Sequence, residues 1–225
     1  MGVTQRVFDE VERRYGKHWS WAVWGEAAGT VAIDRQSDLR FPADEPGILD
    51  TLHTNTVLVG LNPGNAFTAG VWETFHTGSK HNDHRLAEAI RGTDAWGGLM
   101  ADLIDTVESN STLIDTGNQF DNETRVRDLI GRMRDAGIDT RGQTWIAIGG
   151  KTQQALDAAQ AILRHEEISI LAIPHYSGAA NGAIVRRFAQ SHSVTEDARD
   201  LSVGQELNVD QKYRLLVQDV LEPIK

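Results

Sequence analysis

Four short apolar stretches punctuate the chain between residues 56 and 173, and three of them are closed by residues that no strand continues through. Thr56-Val57-Leu58-Val59 runs into Gly60-Leu61-Asn62-Pro63-Gly64, and residues 99–104 form a second run. Residues 144–148 stop at Gly149-Gly150, and residues 168–173 are cut off by Pro174-His175-Tyr176-Ser177-Gly178. The runs lack polar alternation, which predicts strands buried on both faces. Asp102 is the exception, because a carboxylate inside an apolar run needs partners or a purpose. Helical spacing fills the intervals. Leu86, Ala89 and Ile90 make one stripe over residues 81–90, which Asn82 or Asp83 can cap and Gly92 stops. Val126, Leu129, Ile130 and Met133 make another over 123–136, and Ala155, Leu156, Ala159 and Ile162 a third over 151–165. Two further helices are expected, over 181–189 and about 209–221. Strands alternating with helices through 56–190 predict an α/β fold in three layers, a central mostly parallel sheet flanked by helices.

The flanks read differently. Residues 4–15 carry Val7, Phe8, Val11 and Tyr15 on one side of a helix that Gly16 ends. Trp19, Trp21 and Val23 alternate as in a half-buried strand, with residues 28–34 as a hairpin partner. Three tryptophans this close suit either a stacking platform for bases or a core, and core packing is the better reading, since strands favour aromatics. Residues 35–47 read as a loop and 48–53 as a short helical turn. Residues 65–80 form a long connection without a period, carrying Phe67, Trp72, Phe75 and His76; such loops are often functional. Residues 109–122 read as a loop. The whole chain, 1–225, is expected to be one domain with its core at 56–190, to which residues 1–50 and a helix at 205–222 are additions.

Composition narrows the chemistry. With no cysteine, disulfides and thiolate chemistry are excluded. No apolar run approaches the roughly 20 residues that span a bilayer, and residues 1–12 are polar and mixed in charge, so a soluble, cytoplasmic protein without membrane partners is expected. Asp+Glu 32 against Lys+Arg 22 gives a net charge of −10. This argues against a broad phosphate-binding surface and for weak nonspecific duplex binding, while leaving room for a local basic groove. Arg186 and Arg187 are the basic residues nearest the last strand-end motif. Gly149-Gly150-Lys151-Thr152 has the ending of a phosphate-binding loop, but Trp145 stands where that motif needs glycine. His76, His81, Asp83 and His84 cluster without the spacing that places two ligands on one helix face, so neither a metal nor a cofactor is expected.

In open α/β sheets, ligands bind beyond the carboxyl ends of the strands. Gly60-Leu61-Asn62-Pro63-Gly64 and His175-Tyr176-Ser177-Gly178-Ala179-Ala180-Asn181 would converge there, although Asn-Pro-Gly also makes an ordinary turn. The pair resembles the two motifs of the uracil-DNA glycosylase superfamily, particularly its mismatch-specific branch. That family carries Gly-Ile-Asn-Pro-Gly first, and Asn-Pro-Ser-Gly or His-Pro-Ser second. Here Tyr176 replaces the second motif's proline. Asp102 takes the strand-end place where many members read the target base with asparagine. The resemblance covers roughly residues 56–190.

What the resemblance implies is a nucleobase- or nucleotide-binding site, with hydrolysis of an N-glycosidic bond as its chemistry. Asn62 would orient a water through its amide oxygen, and His175 would donate to the departing base. Gly60, Pro63 and Gly64 would shape the first loop, and Phe67, Phe75 or Tyr176 would stack on the base. Ser177 would hold a phosphate, helped by the backbone from Gly178 onward. Asp102 would face the base edge, or else cap a helix or pair with an arginine. The alternative is a non-catalytic nucleotide- or protein-binding module on the same plan.

Overall fold

The computed structural model describes residues 2–63, 70–76, 81–108, 113–191 and 207–221. In chain order the helices are α1 (Gln5–Tyr15), α2 (Ile48–Thr51), α3 (Asp83–Ile90), α4 (Gln119–Asp135), α5 (Gly150–Ala158), α6 (Gln160–His165), α7 (Asn181–Ser191) and α8 (Val209–Leu221). The strands are β1 (Ser20–Trp21), β2 (Thr56–Gly60), β3 (Leu99–Asp102), β4 (Thr144–Ile148) and β5 (Ser169–Ile173). They form one sheet in the order β1-β3-β2-β4-β5. All pairs are parallel except β1 with β3. This is the expected α/β architecture.

The order explains where the helices lie. From β2 the chain steps to β3 on one side, then crosses β2 to reach β4 and β5 on the other. Right-handed crossovers therefore put α3 on one face and α4, α5 and α6 on the opposite face. The packing agrees: α3 and α7 both lie against α8, while α4, α5 and α6 pack together. β2 and β3 are buried along their whole length. Among the described residues no helix is long and apolar enough to cross a membrane.

Several expectations are corrected. β5 is an edge strand, exposed at Ser169 and half-buried until Ile173, because only β4 pairs with it. The tryptophans are core as expected, Trp19, Trp21 and Trp24 all being buried, but the half-buried strand through Trp19 and Val23 shrinks to Ser20–Trp21, buried on both residues. Residues 28–34 are irregular and pair with no strand, since β1 pairs antiparallel with β3 instead. α4 starts at Gln119, four residues before the expected start at Glu123, because Asn118 accepts a hydrogen bond from the Asp121 N–H as its cap. The helix expected over 151–165 breaks at Ala159, a strong helix former that gives no sign of a break. At α3, Asn82 occupies the cap position, but its left-handed backbone carries no side-chain cap.

The burial of β4 after Thr144 and the half-burial of β5 give a quantitative contrast. Ile146→Ala, at a fully buried position, should cost about 2–5 kcal/mol in urea unfolding, as large-to-small core changes do. Ile170→Ala in the half-buried edge strand should cost less than half of that. Equal losses would place β5 inside the sheet core.

Candidate functional site at the carboxyl edge

Parallel pairing brings the ends of β3, β2, β4 and β5 to one edge of the sheet. Asp102, Gly60, Gly149 and His175 therefore stand along it in that order. The strand order reverses direction at β2, so the crevice between the β2 and β4 ends is a topological switch point.

Asp102 ends β3 directly beside Gly60. The glycine is required there. A Cβ at residue 60 would overlap Asp102 Oδ1 and approach Phe75 Cζ at 3.3 Å. Asp102 is 3% exposed and makes no hydrogen bond among the described residues. Its pKa is raised to about 8, by burial first and by Asp105 second, with Arg132 opposing the rise. Asp105 and Arg132 are themselves paired at 2.5 Å. At pH 7 the carboxyl is thus mostly neutral, with one O–H donor and one acceptor oxygen.

Phe75 reaches this corner from the loop before α3. It is half-buried and holds a left-handed backbone at φ 66°, as does Trp72 at φ 64°. Such strain in bulky residues persists only where surroundings impose it. Here the N-terminal region does so. Trp24 Nε1 donates to the Phe75 carbonyl at 3.1 Å, and the buried His76 ring lies between the carbonyls of Leu39 and Trp21.

Asn62 holds its loop rather than standing free. Its Nδ2 lies 2.8 Å from the Pro63 carbonyl, 3.3 Å from that of Thr106 and 2.7 Å from that of Glu108. The amide nitrogen thereby ties the loop after β2 to the loop after β3, and the Glu108 N–H returns a bond to the Pro63 carbonyl. The amide oxygen has no partner among the described residues. Its orientation is fixed by the opposite end, which leaves an acceptor for a water or ligand.

His175 follows β5. Its Cβ packs on Gly149, where an added Cβ would come within 3.2 Å, and its ring stacks on Tyr176 at 5.0 Å. The residue is exposed overall, yet desolvation by the surrounding protein lowers its pKa. The Ser177 N–H donates to Nδ1 at 3.1 Å. Nδ1 is thus the acceptor, and the neutral ring carries its proton on Nε2. Tyr176 is buried beneath, its pKa raised by desolvation and then by Asp83 and Asp102. The second motif therefore reaches back toward β3 and the Asp102 corner.

Of the predicted site residues, Gly60, Phe75 and Asp102 meet at one corner, and His175, Tyr176 and Ser177 form a connected second group. Asn62 and Pro63 form a strut beside the first. Gly178 opens a single 3-10 turn, Gly178–Ala180, ahead of α7. Ser177 precedes that turn without capping it through its side chain. Gly64 and Phe67 lie outside the described residues. Arg186 and Arg187 are exposed on α7, with Arg187 reaching the Ala172 carbonyl at 3.4 Å. The histidine cluster is divided between the core around His76 and the contact of His84 with Asp210. Sequence reasoning missed Gly149, whose place at a strand end was visible, and Arg85, a buried arginine in α3. Nothing in the apolar stripe of α3 distinguishes Arg85 from a solvated residue.

Compared with known proteins, the chain matches no protein-family model and no curated protein.

A carboxyl held neutral in the folded state and ionised when unfolded makes stability depend on pH. The folded pKa lies near 8 and the unfolded one near about 4. Between them the native state binds the extra proton, so stability falls as pH rises from about 4 to about 8 and levels off above. Asp102→Asn removes that term. Urea unfolding should find it more stable than the parent at about pH 8, by on the order of a few kcal/mol, and similar at about pH 4. Parallel stability curves for the two proteins would show that Asp102 is ionised in the fold.

Proposed function

We propose that this protein is a divergent member of the uracil-DNA glycosylase superfamily that binds a nucleobase at the carboxyl edge of its sheet. It hydrolyses the bond joining that base to its sugar. The observation that supports the reading is Asp102: a buried carboxyl at a strand end that makes no hydrogen bond among the described residues, beside a glycine that leaves room and an aromatic ring held in a strained loop. A buried polar group without a partner costs about 1–3 kcal/mol, a cost that a ligand able to bond to it would offset.

The neutral acid has the hydrogen-bonding capacity of an amide, one donor and one acceptor. It matches the N3–H and O4 of a uracil-type edge. An ionised carboxylate would instead favour an edge bearing an exocyclic amine. In the reaction, a water oriented by the Asn62 amide oxygen adds to C1′ as the C1′–N bond breaks. The bonding pair leaves with the base, whose developing negative charge accepts a hydrogen bond from His175 Nε2–H, and the water's proton passes to solvent. Phe75 provides the stacking face. The reading without chemistry, a nucleobase-binding module, is favoured by one feature: Asn62 is an amide and His175 Nδ1 is already occupied, so neither is a strong base for water.

The two readings separate in one experiment. Binding of uracil and deoxyuridine is followed by thermal shift, and release of free base from uracil-containing single-stranded DNA by chromatography. The enzyme reading predicts both binding and release, with release falling about 10²–10³-fold in His175→Ala, as for loss of one donor to a developing anion. Binding without release supports the module. No binding of either ligand contradicts both.

A further inference from the structure

Arg85 lies in α3, apart from both motifs, and is 4% exposed. Its guanidinium serves three elements. Nε lies 2.7 Å from Asp210 Oδ1 at the start of α8, and a terminal nitrogen reaches the same oxygen at 2.6 Å. The other terminal nitrogen, Nη1, donates to the Tyr176 carbonyl at 2.9 Å and to Asn181 Oδ1 at 3.0 Å. Binding three helices together is an ordinary structural duty for a buried arginine. The contact with the Tyr176 carbonyl goes further.

That carbonyl and the Ser177 N–H belong to one peptide unit. A trans peptide is planar and rigid, so its C=O and N–H point in opposite directions. Gripping the carbonyl from α3 therefore aims the N–H the other way, and that N–H is the group that donates to His175 Nδ1 at 3.1 Å. Nδ1 must then be the acceptor, and the ring proton is confined to Nε2. The Tyr176 ring, stacked on the imidazole at 5.0 Å, belongs to the residue whose carbonyl is held, so ring orientation is fixed from the same anchor. We infer that Arg85 is a positioning residue, which sets the tautomer of His175 through the Tyr176–Ser177 peptide and so presents Nε2–H as a donor at the carboxyl edge. Arginine suits this duty better than lysine. Its planar fork serves the carboxylate, the carbonyl and the amide oxygen at once, whereas an ammonium is a single point charge.

The decisive readout is the ring nitrogen spectrum of His175, recorded by NMR with 15N-histidine-labelled protein at about pH 8, where an imidazole is neutral. The parent should show the Nε2–H tautomer. Arg85→Lys should shift both nitrogens toward the averaged values of mixed tautomers. Asn181→Ala, an exposed change that leaves the Asp210 pair intact, should shift them in the same direction by less. It also provides the test if Arg85→Lys does not fold. Met133→Ala, in the core under α4, serves as a control of comparable destabilisation and should leave the His175 nitrogens unchanged. Unchanged nitrogens in Asn181→Ala and in folded Arg85→Lys would overturn the inference, as would an equal shift in Met133→Ala. These measurements need no ligand, so they stand or fall apart from the nucleobase reading. On that reading, Arg85→Lys should also weaken uracil binding about tenfold, a loss in keeping with one misplaced hydrogen bond. A protein that shows the tautomer shift but binds no uracil keeps the positioning role and loses the nucleobase.

Discussion

The carboxyl edge is arranged around one constraint, a carboxyl group buried at the end of β3 with no hydrogen-bond partner among the described residues. Asp102 sits in the sheet beside Gly60, and a side chain at residue 60 would collide with it. Ionised, the group would need the compensation that buried charges require. Neutral, it costs less but still carries a donor and an acceptor to be satisfied. The paired Asp105 and Arg132 nearby act in opposite directions on its charge. Burial decides the balance.

Support for this corner comes from parts of the chain that look peripheral. The N-terminal tryptophans are buried, but they are more than filler. Trp24 fixes the backbone of Phe75, and the carbonyls of Trp21 and Leu39 enclose His76 next to it. Their contribution is to hold an aromatic ring in a backbone conformation it would not otherwise adopt. On the other side, α3 and α8 reach the second motif through Arg85 and Asp210. Helices packed on one face of the sheet thus determine the geometry of a loop at its edge.

Much of the architecture was legible because the four parallel strands are short apolar runs, three of them ended by strand-breaking residues. β2 and β3 appear almost at their true bounds, and the helical stripes name the residues of α4 that face the core, Val126, Leu129, Ile130 and Met133. Burial of β5 was misjudged, since an apolar run says nothing about whether a second neighbour pairs with it. The hairpin failed because β1 finds its partner in β3, nearly 80 positions away, and alternation cannot name a distant partner. At the site, Asp102 stood out as a carboxylate in an apolar run, and among the described residues it makes no hydrogen bond. Asn62 and His175 were visible as residues, but their hydrogen bonds were not. That the Asn62 nitrogen faces three backbone carbonyls, and that a backbone N–H selects the tautomer of His175, depend on loop geometry that no periodicity encodes. Arg85 was hidden for a related reason: α3 is buried on nearly every side, so polarity there does not mark the solvent face.

The central claim is that a neutral Asp102 reads a nucleobase edge, and its most direct test is ligand preference on either side of the carboxyl's ionisation. Calorimetric titration of uracil and cytosine at about pH 6.5 and about pH 9 measures it without any variant. The account predicts that uracil binds the more tightly at the lower pH and that its advantage shrinks or reverses at the higher one, as the acid loses its donor. A preference that stays the same across that interval would contradict the assignment of Asp102 to the base edge.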